Sequence, residues 1–212
     1  MMDKHFNQLR KDYTLGNLDE NTLAADPFLQ FEHWFQEALQ SKIHDANAMV
    51  LATASSTGQP SARIVLLKGL SHEGFTFYTN YQSRKGTELQ HNHKAALLFF
   101  WDALERQVRI EGTAEKVEDS LSDEYFNTRP LMSRIGAIAS PQSQPIDKNA
   151  LQAQVDELSK LPETEIKRPE HWGGFNLKPH YFEFWQGRAS RLHDRIVYEP
   201  DGIAWKQYRI AP

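Results

Sequence analysis

Met49-Val50-Leu51-Ala52-Thr53, Arg63-Ile64-Val65-Leu66-Leu67-Lys68, Phe75-Thr76-Phe77-Tyr78, Ala95-Ala96-Leu97-Leu98-Phe99-Phe100 and Gln107-Val108-Arg109-Ile110-Glu111-Gly112 follow one another as short apolar runs separated by turn residues. β-branched and aromatic residues at this spacing predict five strands of an antiparallel barrel. The second run is the most informative, because it carries a cation at each end. Its leucine-rich middle predicts a buried strand, and a buried strand keeps an Arg and a Lys only where an anion or carboxylate neutralises them. Side chains alternate along a strand, so Arg63 and Lys68 are expected to face opposite ways and to serve two anionic groups. The alternative is ordinary ion pairing with some of the chain's 28 acidic residues. Ser71-His72-Glu73-Gly74 reads as the turn that folds the next strand back, bringing Thr79, Ser83, Arg84 and Lys85 beside Arg63. Hydroxyls, a planar Arg fork and a Lys point charge are what a terminal phosphate requires.

Working outward, Asp26-Pro27 reads as an N-cap followed by proline at the first helical position. Phe28, Phe31, Phe35, Leu39 and Ile43 then recur at helical spacing, which predicts a docked amphipathic helix. After the strands comes a helical middle: Asp119 to Arg129, Pro130 to Ala139, and a stripe of Leu151, Val155, Leu158 and Leu161. Pro141 to Asp147 reads as a loop. Further strands are predicted at Tyr181-Phe182-Glu183-Phe184-Trp185, Ile196-Val197-Tyr198 and Ile203-Ala204-Trp205. The class is mainly β with α.

The 212 residues, 40% of them hydrophobic, suit one domain, and a net charge of −4 argues against bulk attraction to nucleic acid or an anionic membrane. The absence of cysteine excludes disulfides, thiolate metal sites and a cysteine nucleophile. No apolar run approaches a membrane span and the polar start is no secretory signal, so a cytoplasmic protein without a membrane partner is expected.

Two further constellations carry chemistry. Tyr125, Arg129 and Ser133 are four residues apart, the spacing of one helix face. The residue before a proline avoids the helical region, so Arg129 is expected to end one helix and Ser133 to lie in the first turn of the next. Arg191-Leu192-His193-Asp194-Arg195, read as a strand, sends Arg191, His193 and Arg195 to one face, an arrangement more suited to ligands than to water. His91 and His93 read as surface residues, and no metal site is expected.

These blocks, with Glu105-Arg-Gln-Val108, Ile135-Gly-Ala137, Gln142-Ser143, His171-Trp-Gly-Gly-Phe175, Glu183-Phe-Trp-Gln-Gly187 and Arg209-Ile-Ala-Pro212, closely resemble the pyridoxamine 5′-phosphate oxidase family from about Arg10 to the last residue. The resemblance implies an FMN-binding split β-barrel with flanking helices, a single domain over 1–212. It includes an N-terminal helical segment (about 1–45) and C-terminal dimerisation and active-site strands (about 171–212). It also implies a homodimer with flavin at the subunit interface, acting in vitamin B6 metabolism. FMN and oxygen would convert pyridoxamine or pyridoxine 5′-phosphate to pyridoxal 5′-phosphate, releasing hydrogen peroxide. Carried over by position, the flavin-binding pattern falls on Arg63, Lys68, Tyr78, Thr79, Arg84, Lys85, Gln107, Gln142, Ser143, Trp185 and Arg195. The substrate pattern falls on Lys68, Tyr125, Arg129, Ser133, Arg191 and His193, with Arg191 and His193 holding the ring at the reacting centre. Arg10-Lys11-Asp12-Tyr13 resembles a segment that closes over the substrate. A split-barrel flavin reductase and a non-catalytic flavin or pyridoxal phosphate carrier remain open as other readings.

Overall fold

The computed structural model describes residues 12–212. Among these residues nine strands are found: β1 (Ala48–Ala54), β2 (Pro60–Leu66), β3 (Gly69–Ser71), β4 (Gly74–Asn80), β5 (Lys94–Trp101), β6 (Arg106–Lys116), β7 (Trp172–Gln186), β8 (Asp194–Asp201) and β9 (Ala204–Ile210). Five α-helices accompany them among the described residues: α1 (Pro27–Gln40), α2 (Arg84–His91), α3 (Asp119–Thr128), α4 (Leu131–Ala139) and α5 (Lys148–Leu158). The hydrogen-bonded path runs β2-β1-β5-β6-β7-β4-β3, with β8 pairing β7 and β9 pairing β8. The path ends at β2 and β3 rather than closing, which is the split that separates this architecture from a complete barrel. No helix among the described residues is long and apolar enough to cross a membrane.

The described residues form two compact units, one of residues 12–47, 98–110 and 180–212, the other of residues 48–97 and 111–179. In the first unit, Asp26 caps α1 by accepting from the Phe28 N–H at 2.8 Å, with Pro27 at the first turn. The buried face of α1 is Phe28, Phe31, Trp34 and Ala38, with Phe35 half-buried. Leu39 is exposed and the helix ends at Gln40, so the expected stripe does not extend to Leu39 and Ile43. A 3.6-residue period drifts off a fixed i+4 series, and Trp34 and Ala38 take the core positions. Phe31 meets Phe99 edge-on at 4.9 Å and Phe28 meets Phe182 at 5.3 Å. Trp101 donates from its indole N–H to the Ala46 carbonyl at 2.9 Å.

In the second unit, β1 and β2 pair antiparallel with Leu51 opposite Arg63. Contrary to expectation, β2 is not buried: its residues alternate between half-buried and exposed, and Ile64 is 63% exposed. As the end of the hydrogen-bonded path it has a neighbour on one side only, so burial cannot be inferred from its leucine-rich composition. The β3–β4 hairpin forms as expected around His72 and Glu73. Gly74 sits at φ +141, and a Cβ there would lie 2.1 Å from the Leu177 carbonyl oxygen, so the turn admits only glycine. β7 begins at Trp172, nine residues earlier than its aromatic segment suggests, because Gly173 and Gly174 conceal strand in a sequence reading.

Candidate active site

A cavity of about 470 Å³ opens in the second unit. One wall comes from β2 and the link that follows it, through Ile64, Val65, Leu66 and Lys68. A second comes from β4 and the start of α2, through Tyr78, Thr79, Asn80 and Lys85. A third comes from Tyr125, Arg129, Ser133 and Gln142 on the helical middle. Trp172, Gly136, Ala137 and Ser140 complete the lining, and no carboxylate contributes to it. Three cations facing one acid-free space form a site for anions.

Local structure explains the placement of each group. Arg129 leaves α3 with extended backbone, φ −76 and ψ 146, and Pro130 caps α4, so Ser133 falls in the first turn of the second helix as anticipated. Tyr125 stacks on Tyr78 at 4.0 Å, and Tyr78 on Trp172 at 5.6 Å. The Arg129 guanidinium lies 4.7 Å from the centre of the Trp172 ring. Its Nη1 is buried without a hydrogen-bond partner. Burial pushes this guanidinium below its ordinary value, with Tyr125 acting in the opposite direction. An unsatisfied buried donor is costly, which points to an anion as its natural partner.

Lys85 anchors the second group. Its ammonium donates to Thr79 Oγ1 at 3.2 Å, Ser83 Oγ at 3.3 Å and Gln142 Oε1 at 2.9 Å. Burial, with the charge of Arg63 adding to it, lowers this lysine to about 8. Ser83 caps α2, accepting from the Gly86 N–H at 3.3 Å while donating to the Asn80 carbonyl at 2.6 Å. This is the fit expected for a terminal phosphate such as that of FMN: a lysine, a threonine hydroxyl and a capped helix start.

Arg63 and Arg84 do not line the cavity. Both are drawn to Glu88, a buried carboxylate on α2 that the sequence reading left unassigned. Arg84 Nε donates to Glu88 Oε1 at 2.9 Å and Arg63 Nη2 lies 3.4 Å from Oε2, which also accepts from Thr53 at 2.5 Å and Ser61 at 2.6 Å. Burial alone would raise the Glu88 carboxyl, but the hydroxyls, Arg84 and Arg63 outweigh it and hold it at about 2. Thr79, Ser83, Arg84 and Lys85 thus gather near Arg63 as expected, but in two neighbouring groups, one around Lys85 and one around Glu88. The signal for Glu88 was present in the i,i+4 spacing from Arg84. Lys68 follows the end of β2, its N–H donating to the Thr76 carbonyl at 2.8 Å, so its separation from Arg63 is not one of strand parity. Ser143 lies exposed in the loop at φ 72 and does not line the cavity.

The remaining site candidates belong to the first unit. Arg191 is not in a strand: Ala189–Arg191 form a 3₁₀ turn with Ser190 and Arg191 at φ 57 and 61, and β8 begins only at Asp194. The one-face reading of Arg191, His193 and Arg195 therefore fails, because local left-handed backbone breaks the alternation. His193 Nδ1 accepts from the Arg188 N–H at 3.1 Å, and its ring lies 4.7 Å from Trp185 and 5.7 Å from Tyr13. Arg195 lies opposite Trp185 across the β7–β8 ladder, and its Nε donates to buried Glu183 at 2.8 Å. Glu183 also accepts from Arg109 at 2.6 Å. Burial would raise the Glu183 carboxyl, but Arg195 and Arg109 bring it below its ordinary value. Gln107 is half-buried on β6. Arg10 and Lys11 lie outside the described residues; Tyr13 is within them, edge-on to Trp185 at 5.6 Å.

Comparison with known proteins agrees with this geometry. Residues 35–161 match the family model described as pyridoxamine 5′-phosphate oxidase, and residues 172–212 that of the pyridoxine 5′-phosphate oxidase C-terminal dimerisation region. The chain is 56% identical over 205 residues to the pyridoxine/pyridoxamine 5′-phosphate oxidase of Bordetella pertussis, covering 96% of this chain and 98% of that one. It is 52% identical over 214 residues to the protein of the same name from Leptospira interrogans, covering both chains completely. Among solved structures, PhzG from Burkholderia lata, in complex with tetrahydrophenazine-1-carboxylic acid, superposes with a TM-score of 0.88 at 30% identity, covering 95% of this chain and all of that one. A pyridoxamine 5′-phosphate oxidase-related, FMN-binding protein from Nostoc punctiforme shares the fold, at a TM-score of 0.72 and 16% identity over 90% of this chain and all of that one. A cation-lined cavity on a split sheet, two family models that together span most of the sequence and relatives matched over nearly their full length lead to one conclusion: the chain belongs to the pyridoxamine 5′-phosphate oxidase family of FMN-binding split-barrel enzymes.

Proposed function

We propose that the chain oxidises pyridoxamine 5′-phosphate or pyridoxine 5′-phosphate to pyridoxal 5′-phosphate, working as a homodimer with FMN at the subunit interface. The observation that carries this reading is the buried, unpartnered Nη1 of Arg129 in a cavity that also presents Lys68, Tyr125 and Ser133 and no carboxylate. Bound FMN would supply the acceptor for a hydride and pass the electron pair to molecular oxygen, with hydrogen peroxide as by-product.

The chain's own residues bind and orient. Lys68, Tyr125, Arg129 and Ser133 hold the substrate phosphate, so that its binding energy positions the reacting carbon. Lys85 and Thr79, with Gln142 hydrogen-bonded to the same lysine, hold the FMN phosphate. Arg84 uses only its Nε on Glu88, which leaves its terminal nitrogens for that phosphate, and Glu88 keeps Arg63 close by. Tyr78 and Ser143 complete the cofactor set in this unit. Gln107, Trp185 and Arg195 are proposed to serve the flavin, and Arg191 and His193 the substrate ring. The acceptor role of His193 Nδ1 puts the neutral ring's proton on Nε2, where it can donate to an oxygen on the substrate. No residue is assigned as an essential general base.

Anaerobic mixing tests the proposal. The flavin absorbance of the purified protein should bleach with either phosphorylated substrate and return on admission of oxygen, with one peroxide formed per turnover. Yellow protein whose spectrum ignores both substrates would refute oxidase activity and leave a carrier or a reductase of another substrate.

A further inference from the structure

We propose that Trp172 is a positioning residue for the substrate phosphate, acting through Arg129. This rests on the reading of Arg129 as a phosphate ligand. An arginine meant for an anion must be held in place without having its donors consumed. Elsewhere in the same unit this is done by a carboxylate: Glu88 fixes Arg63 and Arg84, and in doing so occupies part of their hydrogen-bonding capacity and charge. Arg129 is held differently. Its guanidinium lies 4.7 Å from the Trp172 ring centre and 5.8 Å from that of Phe126, and Nη1 is left without a partner. An aromatic face attracts the cation through its quadrupole and takes no N–H donor, so every donor stays available to the incoming phosphate.

Trp172 is itself fixed rather than adaptable. It is 6% exposed and packs edge-on against Phe126 at 5.2 Å. It also lies in a parallel stack, 5.6 Å from Tyr78 and 6.2 Å from Tyr125, with interplanar angles of 12° and 9°. Its backbone is anchored opposite Asn80 in the β4–β7 ladder. The indole therefore gives the guanidinium a rigid platform, with Tyr125 and Arg129 arrayed over a common aromatic shelf on the cavity wall.

The test is a double-mutant cycle on the FMN-loaded enzyme with Trp172→Leu, Trp172→Phe and Arg129→Leu. Trp172→Leu should raise KM for pyridoxine 5′-phosphate by about five- to thirtyfold, the range of a partly desolvated cation–π contact, with kcat within about twofold. Trp172→Phe keeps an aromatic face and should raise KM by no more than a few fold. Binding of the non-oxidisable 4-deoxypyridoxine 5′-phosphate, read from the flavin spectrum, should weaken by the same factors. Turnover of unphosphorylated pyridoxine, which offers Arg129 no anion, should fall by a clearly smaller factor than that of the phosphorylated substrate. In the Arg129→Leu background neither Trp172 substitution should raise KM further.

If Arg129→Leu raises KM and Trp172→Leu does not, the proposal is overturned while the phosphate role of Arg129 stands. Equal losses on phosphorylated and unphosphorylated substrates, or full additivity in the cycle, would make Trp172 a packing residue and also overturn it. No rise in KM with Arg129→Leu would remove both readings. Should Trp172→Leu not fold, Trp172→Phe decides alone: a small rise that vanishes in the Arg129→Leu background supports the proposal, and a rise that persists there refutes it.

Discussion

Replacing Glu88 by glutamine removes one charge from the centre of a buried polar cluster while keeping its shape. The carboxylate accepts from Thr53 and Ser61, pairs with Arg84 and faces Arg63, and is 6% exposed. Two routes give the magnitude. Its depression from the ordinary 4.5 to about 2 corresponds to about 3 kcal/mol of stabilisation at neutral pH. Breaking a buried ion pair by removing one partner costs about 3–5 kcal/mol, and the 59% exposure of the Arg84 side chain reduces this. Glu88→Gln should therefore destabilise the protein by about 2–3 kcal/mol at pH 7, and at 2–4 °C per kcal/mol lower the melting temperature by about 4–12 °C. Because the folded value is the lower one, the contribution is complete above about 4.5 and is lost as pH falls towards about 2. Urea unfolding of both proteins at matched concentration, from pH 7 down to pH 3, should show the difference constant to about pH 5 and narrowing below it. A difference under about 0.5 kcal/mol at pH 7, or one that stays unchanged to pH 3, would refute the assignment of Glu88 as the electrostatic centre of the cluster.

Arg129→Leu should raise KM for the phosphorylated substrate by about ten- to a hundredfold, leave the FMN dissociation constant within a few fold and shrink the preference over unphosphorylated pyridoxine. Steady-state kinetics and flavin titration check this, and loss of FMN with discrimination intact would contradict it. FMN binding should weaken as pH rises through about 8, by up to about tenfold per pH unit, because Lys85 loses its charge there while the phosphate is already a dianion. Fluorescence titration should give a flat profile over that window for Lys85→Met. Gly86→Ala should cost more than about 2 kcal/mol in a urea midpoint measurement, since a Cβ would lie 2.3 Å from the Tyr81 carbonyl oxygen and 2.7 Å from that of Asn80. Wild-type stability for this variant would show that the turn before α2 can shift.

Wherever a short-range rule decides, the sequence by itself determined the outcome. The Asp26-Pro27 cap, the break at Arg129-Pro130, the hairpin at His72 and Glu73 and the loop from Pro141 to Asp147 depend on a few consecutive residues, and each is found. Part of the candidate cavity was legible as well: Lys68, Thr79, Lys85, Tyr125, Arg129 and Ser133, chosen as types that bind phosphate, line it, together with Tyr78 and Gln142, which only the family resemblance supplied. Tertiary structure alone decided which cations remain available to a ligand. Arg63 and Arg84 resemble Arg129 in the sequence, yet Glu88 takes part of the first two, whereas Trp172, distant along the chain, presents a face to the third. It also decided that β2 is an edge, since strand order depends on pairings a local pattern does not encode, and that Arg191 sits in left-handed backbone, where alternation no longer applies. Composition constrains which chemistry a site can hold; which donors a ligand finds free follows from what the folded chain places around them.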